Sequence, residues 1–149
     1  MKNFKMDLQR HAGVSFNETK ISYKDGAPGT YKEIDFLMEV PELGGDPEKI
    51  EVTTLSDKHK KYIPGISDLG DLAFKFLYDN STATSNYRVL KKLEDEKKVV
   101  SFKIEYPDKT AHIFDAYVTV KLGGGGINTP VDFTANMFLQ SDIETTNPE

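Results

Sequence analysis

The chain has 149 residues, of which 38% are hydrophobic and 29% are charged, and it contains no cysteine. This length and composition are typical of one globular domain with a substantial core. The absence of cysteine excludes disulfides and thiolate metal sites and fits a reducing cytoplasm. The formal net charge of −5 argues against tight binding to nucleic acid phosphates, which requires a concentrated basic surface. No apolar run approaches the roughly 20 residues of a membrane-spanning helix, and we expect neither a secretory signal nor membrane association.

The first part of the chain predicts an arm followed by two strands. Residues 1–18 are polar and weakly patterned, and we expect a flexible N-terminal arm there. A short strand is predicted at 19–24, and the glycines and proline of 25–29 predict a turn. A second strand is predicted at 31–40, because apolar side chains alternate along it. Its apolar face would consist of Ile34, Phe36, Met38 and Val40.

The next region combines two predicted strands with a long polar connection. Residues 49–55 and 72–78 both alternate apolar with polar side chains, which predicts half-buried strands. The connection at 56–69 shows no helical period, and connections of this length are usually functional or disordered. Tyr62 and Ile63 give it more apolar weight than a disordered linker carries. We therefore interpret it as a protein contact.

The second part of the chain predicts one helix and three strands. An apolar stripe predicts a helix at 85–96, with Thr84 or Ser85 as its N-cap. Strands are predicted at 98–106, 111–122 and 131–139, and we expect a frayed tail at 144–149. About seven strands and one helix predict a mainly β fold. We expect an antiparallel β-sandwich or barrel with one flanking α-helix, formed by residues 19–143.

The glycine run Gly123–Gly126 resembles a phosphate-binding loop only superficially. Such a loop precedes a helix N-terminus, whereas here the chain continues into a predicted strand. We therefore interpret the run as a flexible hairpin connection.

The remaining candidates for chemistry are histidines and carboxylates. His11, His59 and His112 lack metal-ligand spacing. Asp115 and Asp132 could be proposed as a hydrolytic pair, but both lie on the polar faces of predicted strands, where solvated residues belong. No Gly-x-Ser-x-Gly elbow occurs either. We predict that the protein is not an enzyme and has no cofactor or metal.

The basic cluster of the long connection is better explained by a protein interface. Lys58, Lys60 and Lys61 are too few for a nucleic-acid patch in an acidic chain. In a protein interface the lysines would form the polar rim, with Tyr62 and Ile63 as its anchors.

Several segments together resemble one known family. The runs LGGDPEKIEVTTLSD and YIPGISDLGDLAFKFLYD, followed by the helix SNYRVLKKLED and the late segment PVDFTANMFLQSDI, are similar to the major tail tube proteins of long, non-contractile-tailed bacteriophages. The resemblance covers residues 21–143. Tube proteins of contractile tails and of the type VI secretion system share this general fold, so that class stays open.

The resemblance implies a structural subunit that assembles into hexameric rings, which stack into a hollow tube through which DNA passes. It implies that the long connection reaches the neighbouring ring. The predicted ring-stacking residues are Thr54, Leu55, Ser56, Asp57, Lys58, Lys60, Lys61, Tyr62, Ile63 and Pro64. The predicted lumen residues, chosen as polar side chains opposite the buried faces, are Asp115, Lys121, Asp132 and Asn136.

The expected partners are other copies of the chain, the tape measure and the tail terminator, with DNA only passing through and no specific nucleic-acid binding. The expected location is the virion tail, assembled in the cytoplasm of the bacterial host. The alternative is a β-sandwich interaction or carbohydrate-binding module, which would expose a platform of aromatic residues. A small β-barrel enzyme is a third class and would need a convergent polar pocket.

Overall fold

The computed structural model describes residues 13–25 and 29–148. This part of the chain contains ten strands and one helix. The strands are β1 (Lys20–Lys24), β2 (Lys32–Ile34), β3 (Leu37–Glu39), β4 (Pro47–Glu51), β5 (Tyr62–Ser67), β6 (Asp71–Leu77), β7 (Val100–Glu105), β8 (Ala111–Leu122), β9 (Asp132–Leu139) and β10 (Glu144–Thr146), and the helix α1 is Asn86–Glu96. Within these residues no helix has the length and apolarity needed to cross a membrane.

Eight strands form one antiparallel sheet in the order β2-β1-β7-β8-β9-β6-β3, with β10 paired to the start of β8. The long strand β8 pairs with β7 through its first half and with β9 through its second half. The outermost strands β2 and β3 are joined by Asp35 and Phe36 alone, which spans at most about 11 Å. The sheet must therefore curl until its two edges meet. The predicted mainly β, antiparallel sandwich or barrel with one helix is confirmed.

The core fills the inside of the curled sheet. Alternation along β6 buries Leu72, Phe74 and Phe76 as the period of a strand requires. Phe74 stacks on Phe114 and Phe76 on Phe133, with ring centroids 6.4 and 5.3 Å apart. A barrel this small is filled by its own side chains, so a channel through the protein would have to lie outside the subunit.

The predicted strand at 31–40 is wrong as a single element, because the chain changes sheet edge within it. Phe36 has a φ of 65°, in the left-handed region that is strained for a bulky residue, and this bend separates β2 from β3. Its carbonyl oxygen accepts a hydrogen bond from the Leu77 N–H at 2.9 Å. Phe36 and Met38, predicted on a buried face, are consequently about half exposed.

The region between β3 and β6 also differs from the prediction. The predicted half-buried strand at 49–55 is β4 (Pro47–Glu51), all of whose residues are exposed. The connection 56–69, predicted as a long loop with no helical period, contains β5, which pairs with β4 in a separate two-stranded sheet. The long loop is therefore the outer part of a β-hairpin.

The two ends of the chain correct and limit the predicted boundaries. Residues 144–146 of the predicted frayed tail form β10, paired with β8, so the sheet extends beyond the predicted domain end at 143. Residues 1–12 of the predicted arm lie outside the described residues. Within 13–18, Phe16 contacts Tyr106 edge to face, with ring centroids 6.0 Å apart.

Helix α1 confirms the predicted helix, and an acidic residue of its C-terminal turn bonds to β8. Ser85 is the N-cap, although its side chain accepts from the Thr82 N–H rather than from the helix. The helix packs beside the second half of β8, which the pairing with β7 does not reach. There, the Glu94 carboxylate accepts a hydrogen bond from the Val120 N–H at 3.0 Å, which satisfies a backbone donor on the β8 edge.

Candidate assembly surface

The hairpin β4–β5 projects from the curled sheet as a separate element. Ile50 faces Ile63 across the pair, and Glu51 faces Tyr62. At the base of the hairpin the two backbone segments lie very close together. A Cβ added at Gly45 would lie 2.2 Å from the carbonyl oxygen of Asp68. A glycine is therefore needed to bring the two ends of the hairpin together.

One face of the hairpin is apolar and uncovered. Ile50 and Ile63, which pair directly, are 46% and 48% exposed, and Leu55 near the tip is fully exposed. A two-stranded hairpin alone is marginally stable in water. Clustered apolar residues left in solvent usually mark an interaction site. This face therefore has the character of a surface that another molecule covers.

The tip of the hairpin is held in shape by its own polar groups. The Asp57 carboxylate accepts from the Thr54 N–H at 2.8 Å and from the Thr54 hydroxyl at 3.0 Å, and the Lys61 ammonium lies 2.9 Å from it. These contacts, the Thr54 backbone hydrogen bond first, lower the pKa of Asp57 below its ordinary value. The tip thus has a defined form before any partner binds.

The ten predicted ring-stacking residues all lie on this one hairpin, in two groups. Thr54, Asp57 and Lys61 shape the tip, as described, and Ser56 adds a hydroxyl contact to Thr54 at 3.1 Å. The other six present exposed side chains to solvent. They are Leu55, Lys58, Lys60, Tyr62, Ile63 and Pro64.

The four predicted lumen residues share the outer face of the sheet but do not form one cluster. The register of β8 and β9 puts Lys121 and Asp132 at one end of that strand pair and Asn136 at its middle. Asp115 is six positions from Lys121 along β8, which corresponds to about 20 Å in an extended strand. The structure therefore separates Asp115 from Lys121 and Asp132, with Asn136 between them.

The same geometry separates the two carboxylates that could have formed a hydrolytic pair. Asp115 accepts a hydrogen bond from the Ser101 hydroxyl, and Asp132 contacts the Lys75 ammonium at 3.4 Å. The Gly123 N–H donates to the Asp132 carbonyl oxygen, so Asp132 lies about 26 Å along β8 from Asp115. These carboxylates cannot act on one substrate bond.

The glycine run lies in a connection between two strands, and the two described histidines lie in the sheet and near the hairpin tip. Gly123–Gly126 connects β8 to β9 with no helix after it, so the hairpin interpretation is confirmed. His112 Nδ1 lies 3.0 Å from the Thr145 hydroxyl, His59 is exposed near the hairpin tip, and His11 lies outside the described residues. No group of three His, Asp or Glu side chains among the described residues could hold a metal ion.

Asn86 is a structural residue that sequence reasoning missed. Its side-chain Nδ2 donates to the carbonyl oxygens of Asp35 and Leu77, both at 2.8 Å, and its Oδ1 accepts from the Asp79 N–H at 3.2 Å. These bonds close the seam between β2, β3 and the end of β6. Asparagine at the start of a helix usually indicates N-capping. Nothing in the sequence distinguishes N-capping from the bonds to other backbone segments that Asn86 makes here.

A filled, closed β fold with a preformed, uncovered apolar hairpin is typical of a structural subunit that associates with other chains. The family model described as "Phage tail tube protein, TTP" matches residues 26–146. The chain therefore belongs to the phage tail tube protein family, a family of structural proteins, and is a subunit of a tail tube. The resemblance predicted from the sequence is confirmed. No curated protein matches the sequence.

Solved structures of tubes and tails share the fold. The chain is similar to a component of the PVC sheath-tube complex of an extracellular contractile injection system, with a TM-score of 0.75, 9% identity, and 99% and 100% of the two chains covered. It is similar to the tail of a gene transfer agent particle with C6 symmetry (0.70, 14% identity, 90% and 99%). It is also similar to the SPP1 tail tube (0.68, 12% identity, 91% and 80%).

Proposed function

We propose that copies of this subunit form hexameric rings, that the rings stack into a hollow tube, and that the lumen of the tube conducts DNA during ejection. Family membership supports tube formation, and the similar gene transfer agent tail has C6 symmetry. The net charge of −5 suits a conduit that must not retain phosphates. The tube would form in the host cytoplasm, end at a tail terminator and enclose a tape measure.

The hairpin is proposed as the element that joins successive rings. The observation that carries this proposal is the directly paired and uncovered Ile50 and Ile63. Burying half-exposed side chains of this size contributes about 1 kcal/mol each, at roughly 25 cal/mol per Å². Repetition of that gain at every subunit of a ring would make stacking cooperative.

The lumen is proposed to be lined by Lys121 and Asp132 at one end of the β8–β9 pair and by Asn136 at its middle. Asp115 remains a candidate of the same proposal, although it lies apart from Lys121 and Asp132 and is bonded to Ser101. Exchange of Asp132 for lysine should slow DNA release, because a cation in the lumen attracts phosphate. Assembled particles that release DNA at the rate of the unmodified protein would remove Asp132 from the lumen.

The test of stacking is to shorten the hairpin without disturbing its base. Because Glu51 faces Tyr62, residues 52–61 can be replaced by Asn-Gly, which forms a two-residue turn of the required twist. The shortened protein should fold with unchanged thermal stability and form no tubes in negative-stain electron microscopy. As a matched control, one glycine is deleted from the Gly123–Gly126 run, which shortens a connection outside the hairpin. Normal tubes from the shortened-hairpin protein would contradict the proposed role.

A further inference from the structure

The hairpin leaves the sheet at one end, and an uncovered apolar surface lies at the other. The hairpin enters and leaves between β3 and the first residue of β6, Asp71. The opposite end of β6 is Leu77, about 20 Å away along the strand. We call the surface at this end of the sheet the far end, and it comprises Asp35, Phe36, Asp79, Val131 and, in the connection between β8 and β9, Ile127.

The far end is apolar at its centre. Phe36 and Val131 lie on either side of the end of β6, since their carbonyl oxygens accept from the N–H groups of Leu77 and Tyr78, each at 2.9 Å. Phe36 is 53% exposed, Val131 56% and Ile127 94%. Three large apolar side chains are thus exposed at one end of the sheet, two of them beside the end of β6 and Ile127 in the connection between β8 and β9. Clustered apolar residues left in solvent usually mark an interaction site.

The charge of the far end is opposite to that of the hairpin tip. Asn86 bonds to the backbone of both Asp35 and Asp79, which brings these two acidic residues together beside Phe36. Hydrogen bonds from Ser81 lower the pKa of Asp79 below its ordinary value, so this carboxylate is ionised at neutral pH. The tip carries the basic run 58–61.

Identical subunits that repeat along an axis must join two different patches of their surface, because a patch that meets itself ends the series. The hairpin extends by about 25 Å from Pro47 to Thr54 at the rise of an extended strand. We propose that the far end of one subunit receives the hairpin tip of a second copy in the next ring. The apolar side chains of tip and far end then cover each other, and Lys58 and Lys60 meet Asp35 and Asp79. This inference rests on the proposed stacking function.

A second apolar surface offers the competing position. Phe16, Leu37, Met38 and Val40 line a groove beside β3. Its Phe16 side contacts Tyr106, in the turn after β7, at the end of the sheet from which the hairpin itself departs. A hairpin bound there would join neighbours at the same level rather than successive levels of a stack. The two positions therefore give different cross-links.

Engineered cysteines distinguish the two positions, since the chain has none of its own. Leu55→Cys combined with Phe36→Cys should give an intersubunit disulfide ladder on non-reducing gels of oxidised tubes. The matched control is Leu55→Cys combined with Phe16→Cys, at a groove position of similar exposure (64%), which should give no ladder. A ladder from the Phe16 pair, or tubes of the Phe36 pair that remain monomeric on the gel, would overturn the proposal.

A charge exchange tests the same contact independently. Asp35→Lys should raise the protein concentration needed for tube formation at least tenfold, and Lys58→Glu with Lys60→Glu in the same chain should restore it. If Asp35→Lys assembles normally while the shortened hairpin does not, the far end is wrong and hairpin stacking stands. If the shortened hairpin itself assembles, stacking by the hairpin fails.

Discussion

The curled sheet and the hairpin use the same alternation of apolar residues with opposite results. In β6 the alternating residues Leu72, Phe74 and Phe76 are buried within the subunit. In the hairpin the paired Ile50 and Ile63 remain half exposed. Alternation thus indicates that a face will be covered and does not indicate which molecule covers it. The comparison predicts that core changes cost subunit stability, whereas hairpin changes cost assembly.

The largest effect is expected in the core. Phe76 is fully buried and stacks on Phe133, so Phe76→Ala should lower the free energy of unfolding by about 3–5 kcal/mol through lost burial and a residual cavity. Chemical denaturation of the monomer measures this loss. A loss below about 1 kcal/mol would mean that this position is not part of a closely filled core.

An intermediate effect is expected where α1 meets β8. Glu94→Ala removes the acceptor of the Val120 N–H and should cost about 1–2 kcal/mol, because a backbone donor loses its partner. Glu94→Gln retains an acceptor and should cost less. Asp95→Ala, at the neighbouring exposed position, is the control and should cost less than about 0.5 kcal/mol.

The Glu94 contribution also predicts a pH dependence. The hydrogen bond from Lys91 is the main cause that lowers the pKa of Glu94 below its ordinary 4.5. A lowered folded-state pKa gives stability that is present above the ordinary value and is lost as the pH falls through the folded-state value. The stability difference between the unmodified protein and Glu94→Gln should therefore shrink on acidification. A difference that grows below pH 4.5 would contradict this assignment.

The smallest effect on the subunit is expected in the hairpin. Ile63→Ser should change the free energy of unfolding by less than about 0.5 kcal/mol, because the side chain is already half in water, yet it should suppress tube formation. Val99→Ser is the matched control, since Val99 is 47% exposed but lies outside the hairpin. If both variants assemble equally well, the apolar face of the hairpin has no special part in stacking.

Local patterns were sufficient for the elements whose neighbours are near in sequence or whose period is uninterrupted. Alternation located β6, β7, β8 and β9, and the apolar stripe located α1. Alternation continues through Phe36, however, and could not show that the chain crosses there to the other sheet edge. That bend depends on bonds from Leu77 and Asn86, which lie about 40–50 residues away in sequence.

The predicted sites show the same division. Apolar weight in a polar connection is a local signal, so the sequence could single out the hairpin residues as a surface, whereas the pairing of β4 with β5 leaves no such signal; their part in stacking stays a prediction. The predicted lumen residues share a strand face, and a face does not give distance along a strand, so the prediction groups Asp115 with Lys121, which lies about 20 Å away. Asn86 and Glu94 were missed because their partners are backbone groups, which leave no pattern in the sequence.

Hydrogen exchange of the free subunit and of assembled tubes tests the central claim most directly. We predict that amides of β4 and β5 exchange quickly in the free subunit and become strongly protected in tubes, while those of β6, β8 and β9 are protected in both states. Hairpin amides that are already protected in the free subunit, or that remain unprotected in tubes, would contradict the claim that another copy of the chain covers this hairpin.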